Sequence, residues 1–210
     1  MTSAIRELVR DARQTAILDA ARDLFSRQGY HKTTVPEIAK AAGASVGLIY
    51  YHFDSKADIL VAIVEEFHTF GLAALEGSPG ATDPRERLDA AVRDLFVAFD
   101  HFSKVFVILY KDISSLRHEE RQRIFALEED TVNHVATLIQ EGQRAGVFSA
   151  ELHNVPLMAA NLVGLGHLWA LKKTWYFSSH LTLADYIDTQ LLYLHGLLDV
   201  RGEANHAHDE

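Results

Sequence analysis

Apolar residues recur along most of this chain at the three- and four-residue intervals of a helix. Ile17, Ala20, Ala21, Leu24 and Phe25 form one stripe, which Gly29 closes. Leu88, Ala91, Val92, Leu95, Phe96 and Phe99 form a second. Phe102, Val105, Phe106, Leu109, Tyr110 and Ile113 form a third. Ile124, Leu127, Val135, Leu138 and Ile139 mark a longer helix that ends near Gly146. No stretch alternates at period two as a half-buried strand would, and no internal repeat or low-complexity block appears. The pattern predicts an all-α protein of about nine helices.

Polar residues set the boundaries. Thr34-Val-Pro-Glu37 reads as a capping box, in which the threonine hydroxyl and the glutamate satisfy free N–H groups at a helix start. Ser55 to Asp58, Asp83 to Glu86 and Thr182 to Asp185 are similar, and Pro84 suits a first helical position. Breaks fall at Gly77-Ser-Pro-Gly80 and around Ser149 to Pro156. Near the start, Val35 to Ala42 is a short helix that stops at Gly43-Ala44, and Ser45 caps a second short helix through His52. Two short helices on a tight glycine turn make a helix-turn-helix unit. Ala39 is small where the helices cross, Gly43 suits the left-handed turn conformation, and Ile49 is the buried anchor of the second helix.

The run from Phe25 through Gly43, followed by Ser45-Val-Gly-Leu-Ile-Tyr-Tyr-His-Phe-Asp-Ser-Lys56, resembles the signature of the tetracycline-repressor (TetR) family. The resemblance is close over roughly the first 65 residues; beyond them only the number and length of helices agree. It implies an N-terminal three-helix DNA-binding head, residues 1–58, on a C-terminal helical bundle, residues 59–201, that binds an effector and dimerises. Residues 202–210 are expected to be a disordered polar tail. The helix Val46 to His52 would enter the major groove, with Ser45, Val46, Gly47 and Leu48 nearest the bases. Few of these are strong hydrogen-bond readers, so thymine methyls and DNA shape would carry much of the readout. Tyr50, Tyr51, His52, Lys56 and either Thr33 or Thr34 would reach phosphates, aided by the free N–H groups of helix starts. Against this, either tyrosine would serve equally as head core, the expected role of Phe53, and Thr34 as a cap alone.

Charge tempers this picture without reversing it. The formal net charge is -9 over 210 residues. Residues 1–60 carry eight Lys/Arg against seven Asp/Glu, so the acidity lies beyond the head, which is spared repulsion from phosphate.

In the bundle, Leu157, Asn161, Gly164, Leu168, Leu171 and Trp175 alternate at four and three, as do Ile187, Leu191, Leu194 and Leu198. Such seams suit packing against other helices. The pattern leaves open whether they join two subunits or bury inside one; the resemblance implies a homodimer on a pseudo-palindromic duplex operator. Aromatic residues interleave with polar ones along the same helices. His68, Phe99, Phe106, Tyr110, Asn161, His167 and Trp169 are the candidate lining of a site for a small hydrophobic effector, with ordinary core as the competing role for the aromatics. The run His167 to Phe177 is similar to one in family members that sense fatty acyl or acyl-CoA compounds, and Lys172 and Lys173 would then attract phosphate or remain solvated. A regulator answering to diverse hydrophobic drugs, or one with no small-molecule effector, stays open.

Other classes find little support. There are no cysteines, so disulfides and thiol catalysis are excluded. No run has the roughly 18 to 20 apolar residues of a membrane span, and Met1 to Arg13 lacks a signal-peptide core. A cytoplasmic location is expected. His206-Ala-His208 with Asp209 and Glu210 would chelate only weakly from a polar tail, and His118-Glu-Glu-Arg-Gln lacks the second histidine of a zinc-protease helix, so no metal and no cofactor are expected. Without a nucleophile elbow or a phosphate-binding glycine loop, no enzyme activity is expected.

Overall fold

Capping and glycine turns punctuate the chain where the pattern places them. The computed structural model describes residues 3–75, 82–152, 154–177 and 180–199. The described residues contain nine α-helices: α1 (Ser3–Gln28), α2 (Val35–Ala41), α3 (Val46–His52), α4 (Lys56–Leu75), α5 (Pro84–His101), α6 (Ser103–Asp112), α7 (His118–Arg144), α8 (Val155–Lys172) and α9 (Leu183–Leu198). A 3-10 turn, Ile113–Ser115, follows α6, and a π turn, Lys173–Phe177, extends α8. No strand occurs among the described residues. The expected break at Gly77 to Gly80 and the polar tail at 202–210 lie outside them.

The local reasons are those of helix ends. Thr34 and Glu37 form a reciprocal capping box on α2, and Thr182 and Asp185 form one on α9. Gly29, Gly43 and Gly146 all take positive φ where α1, α2 and α7 stop. Asn154 does so too, at φ 52, while its side chain accepts from Leu157 N–H at the start of α8.

By proximity of Cα atoms the chain forms two compact units: Met1–His68 with Phe102–Leu127, and Thr69–His101 with Glu128–Glu210. α4 and α7 contribute residues to both. In the first unit α1 packs against α2 and α6, and α2 against α3. Ile17, Ala21 and Phe25 of α1, Ile38 and Ala39 of α2, and Ile49 of α3 are buried there. Phe67 meets Phe102 and Phe106 edge-on, with ring centroids 5.6 and 4.8 Å away.

In the second unit α5 lies against both α8 and α9. Its face Leu88, Ala91, Val92, Leu95, Phe96 and Phe99 is fully buried. α8 approaches closely because Gly166 has no side chain; a Cβ there would sit 2.2 Å from the Phe99 ring. Aromatic contacts run from Phe99 through Phe96 and Tyr186 to Trp169 and Phe177, the last two stacked at 5.5 Å.

The two expected seams part company here. On α8 and the π turn that extends it, Leu157, Asn161, Gly164, Leu168 and Trp175 are exposed and Leu171 half-buried, so this stripe faces outward. On α9, Ile187, Leu191, Leu194 and Leu198 are buried within the subunit. Of the two places left open for that stripe, it takes the one inside the subunit. The reason is α5, whose apolar face takes up the α9 stripe, with Phe96 5.8 Å from Tyr186. The outward face of α9 is instead Leu192, Tyr193 and Leu197.

Candidate nucleic-acid interface and effector-site residues

The helix-turn-helix is built by polar contacts to the backbone. Ser45 Oγ accepts from Leu48 N–H at 3.1 Å, which starts α3. Ile49 is 1% exposed and anchors the helix inward. The opposite side carries Val46, Gly47, Tyr50 and Tyr51, all exposed, with Leu48 and His52 half-buried at the edges. Tyr51 is 69% exposed, its ring edge-on to His52 at 5.2 Å. The two tyrosines therefore stand outside the head core, while Phe53 is inside it. Thr34 is exposed at the start of α2, its hydroxyl shared with Glu37. Hydrogen bonds from the Thr34 backbone and side chain hold the Glu37 carboxyl below its ordinary range.

Two of the candidate phosphate contacts occupy structural positions. Thr33 is buried, and its hydroxyl donates to the Gly29 carbonyl at 2.9 Å. The Lys56 ammonium donates to the carbonyls of Tyr30 and Thr33 at 2.7 and 2.8 Å, and to His31 at 3.5 Å. It also lies 4.3 Å from the centre of the Tyr30 ring. Burial lowers its pKa, and Asp112 and Glu37 oppose that shift. Three donors, three carbonyls: Lys56 ties α4 to the turn between α1 and α2. Beneath it, burial and then Glu120 and Asp112 push the Tyr30 hydroxyl up to about 12. His31 joins the same cluster, with Nε2 3.3 Å from Asp112 Oδ1 and 3.1 Å from Ser115 Oγ. Spacing gave no sign of this cluster, in which His31 and Ser115 lie 84 residues apart.

The effector-site candidates divide between the units. His68, Phe106 and Tyr110 belong to the first, with Phe106 buried and Tyr110 exposed. Phe99, Asn161, His167 and Trp169 belong to the second. There, Phe99 and His167 are buried, with ring centroids 4.9 Å apart. Burial drives the imidazole pKa down to about 4, so it is neutral near pH 7. Glu128 Oε1 is 3.9 Å from its Nδ1, and burial raises that carboxyl. Trp169 is buried and donates from Nε1 to Asp100 at 2.7 Å. Asn161 is exposed on the outward face of α8. Of the two lysines, Lys173 is paired with Asp100 at 2.8 Å, and Lys172 lies over the Trp175 ring at 4.2 Å.

Two short capped helices, one anchored inward by a single isoleucine and presenting aromatic hydroxyls outward, define a helix-turn-helix DNA-binding protein. Residues 17–63 match the family model of bacterial regulatory proteins of the tetR family, and residues 81–176 match that of the Tetracyclin repressor-like C-terminal domain. Over 188 residues the chain is 34% identical to the HTH-type transcriptional regulator HbdR of Aromatoleum sp. (strain CIB), covering 88% of this chain and 80% of that protein. The chain belongs to the TetR family of DNA-binding transcriptional regulators. The crystal structure of the regulator PfmR from Thermus thermophilus aligns with a TM-score of 0.68 at 26% identity, covering 90% of this chain and 99% of that one. FadR from Bacillus subtilis, solved in complex with stearoyl-CoA, aligns with a TM-score of 0.73 at 23% identity, covering 86% and 96%. No described helix is long and apolar enough to cross a membrane.

Proposed function

We propose that the chain is a homodimeric, effector-released repressor, reading a pseudo-palindromic operator with residues 1–58 and binding effector and partner subunit with residues 59–201. The observation that carries this reading is the outward face of α3, where Val46, Gly47, Tyr50 and Tyr51 are exposed around one buried anchor. Ser45, Val46, Gly47 and Leu48 meet base edges; Tyr50, Tyr51, His52 and Thr34 meet phosphates. Thr33 and Lys56 hold the turn that presents them. The reading assigns the chain no catalytic step and places it in the cytoplasm with its DNA.

Dimerisation is assigned to the outward stripe of α8 together with Leu192, Tyr193 and Leu197 of α9. Their exposure on helices rich in apolar residues supports it, because large apolar patches on a soluble protein mark interaction sites. The effector is read as a fatty acyl or acyl-CoA compound. Support comes from the stearoyl-CoA complex of FadR and from the neutral, buried His167 beside Phe99, a polar group in apolar surroundings. Binding shifts the operator affinity only by as much as the effector prefers one body conformation to the other. α4, which contributes to both units, is the connecting lever.

Selection of bound sequences from a random duplex pool tests the DNA reading, with wild type recovering one palindrome that Tyr51→Ala recovers weakly. No enrichment at any salt concentration would overturn it. Acyl-CoAs of graded chain length are then titrated against the recovered complex. Release that strengthens with chain length supports the effector class; indifference to all of them, with release by unrelated hydrophobic drugs, would replace it.

A further inference from the structure

Only Phe53, Asp54 and Ser55 separate the end of α3 from the start of α4. Whatever fixes this corner also fixes the direction of α3, and with it the aim of the outward face. Ser55 Oγ accepts from Asp58 N–H at 3.1 Å, and Asp58 Oδ2 accepts from Asp54 N–H at 3.3 Å. Asp54 follows Phe53, the C-cap of α3, so the Asp58 carboxylate both caps α4 and ties down the residue beyond the end of α3.

The second oxygen of Asp58 is held from a distant part of the chain. Arg123 of α7 donates from Nη1 to Asp58 Oδ1 at 3.0 Å and from Nη2 to Glu65 Oε1 at 2.6 Å. Asp58 and Glu65 are seven residues apart, about two turns along one side of α4. A planar guanidinium can hold two carboxylates in a fixed geometry, whereas a lysine offers a mobile point charge. All these residues belong to the first compact unit. The three clamp side chains are partly exposed, Arg123 by half. Exposed ion pairs contribute little to global stability, so the consequence of this clamp is local and directional.

We propose that Arg123 is a positioning residue for DNA reading. From α7, outside residues 1–58, it fixes the α3–α4 corner through Asp58 and so sets the angle at which the exposed face of α3 meets the operator. This rests on reading α3 as the DNA-reading helix. Arg123 acts through Asp58 and Glu65 and not on phosphate, so its loss lowers discrimination between sequences and leaves general attraction to DNA in place. The effect is no larger than the clamp itself is worth, about three- to fivefold in operator affinity per head.

The test uses the full-length protein, the operator recovered by selection and a scrambled duplex. Affinity is measured over a salt series for wild type, Arg123→Ala, Asp58→Asn, the double variant, Glu65→Gln and Tyr51→Ala. Removing a positive charge and removing a negative one change attraction to phosphate in opposite directions. Positioning requires the same direction: Arg123→Ala and Asp58→Asn should both weaken operator binding, and the double variant should be no weaker than the weaker single. Binding to scrambled duplex and the slope of log K against log salt should stay those of wild type. Asp58→Asn keeps an oxygen for the α4 cap, and thermal melting establishes that each variant is folded. Glu65→Gln opens the clamp without touching that cap and should weaken operator binding too. Tighter operator binding by Asp58→Asn, or additive losses in the double variant, overturns this proposal. If Tyr51→Ala is impaired in the same series, α3 remains the reader. A wild type that selects no operator overturns the α3 reading, and this proposal falls with it.

Discussion

Helices α3 and α9 each bury one side and show bulky side chains on the other, but they are held by different physics. α3 is seven residues long and buries a single side chain, Ile49. Too short to be stable alone, it depends on the Ser45 cap, the Gly43 turn and its packing on α2. α9 runs for 16 residues and buries Tyr186, Ile187, Leu191, Leu194 and Leu198 against its own subunit, while Leu192, Tyr193 and Leu197 still face outward. Position comes from directed polar contacts in the first and from apolar area in the second. Substitutions on the outward side of either helix should therefore touch function and spare folding.

The strongest way to break that contrast is to charge the outward faces of the bundle. Leu168→Glu with Leu192→Glu should give a folded monomer by sedimentation, and operator affinity should fall on the order of a thousandfold as avidity is lost. A dimer of unchanged affinity would mean these faces are not the interface. Next comes the pair of adjacent leucines on α9. Leu191→Ala, at a buried position, should lower unfolding free energy by about 3 kcal/mol, whereas Leu192→Ala should lie within about 0.5 kcal/mol of wild type. Equal losses would erase the distinction between its two sides.

Lys56 sharpens the comparison in the head. Removing its ammonium leaves carbonyls of Tyr30 and Thr33 without their donor, so Lys56→Ala should destabilise by about 2 kcal/mol in chemical denaturation. Tyr51→Ala should do the reverse, reducing operator affinity about tenfold, or about 1.4 kcal/mol, with an unaltered melting temperature. The smallest effect is one of pH. His167 titrates near 4 when folded and near 6.5 when unfolded, so the unfolded chain binds the proton first as pH falls. Stability is complete above about pH 6.5 and should drop by about 1 kcal/mol by pH 5.5. Glu128, whose carboxyl is raised by burial, acts with the opposite sign, because the folded chain takes up that proton first as pH falls. His167→Gln should flatten the decline, and an identical profile in the variant would remove His167 as its source.

Legibility followed the same divide. The α2–α3 unit could be read because a capping box, a left-handed glycine and a seven-residue helix are local, each fixed by residues within three or four positions. The outward direction of Tyr50 and Tyr51 could not, since an aromatic at that spacing suits core and surface equally until its neighbours are known. In α9 the periodicity found a real stripe and left its destination open. Apolar residues lie on two sides of Tyr186 to Leu198, and only the presence of α5 decides which side is inside. The head cluster of Lys56, Tyr30, His31 and Asp112 was beyond reach, because tertiary folding alone brings those residues together. Gly166 carried a signal that spacing does not interpret. It is the point where Phe99 fills the space a side chain would need.

The clamp made by Lys56 has a consequence for how such a regulator changes over generations. The groups that hold the head together, Lys56, Thr33, Ile49 and the Ser45 cap, are distinct from the side chains at 46, 50 and 51 that face outward. Replacing the outward set leaves the clamp undisturbed. A lineage can therefore drift to a new operator one surface position at a time, passing only through intermediates that still fold.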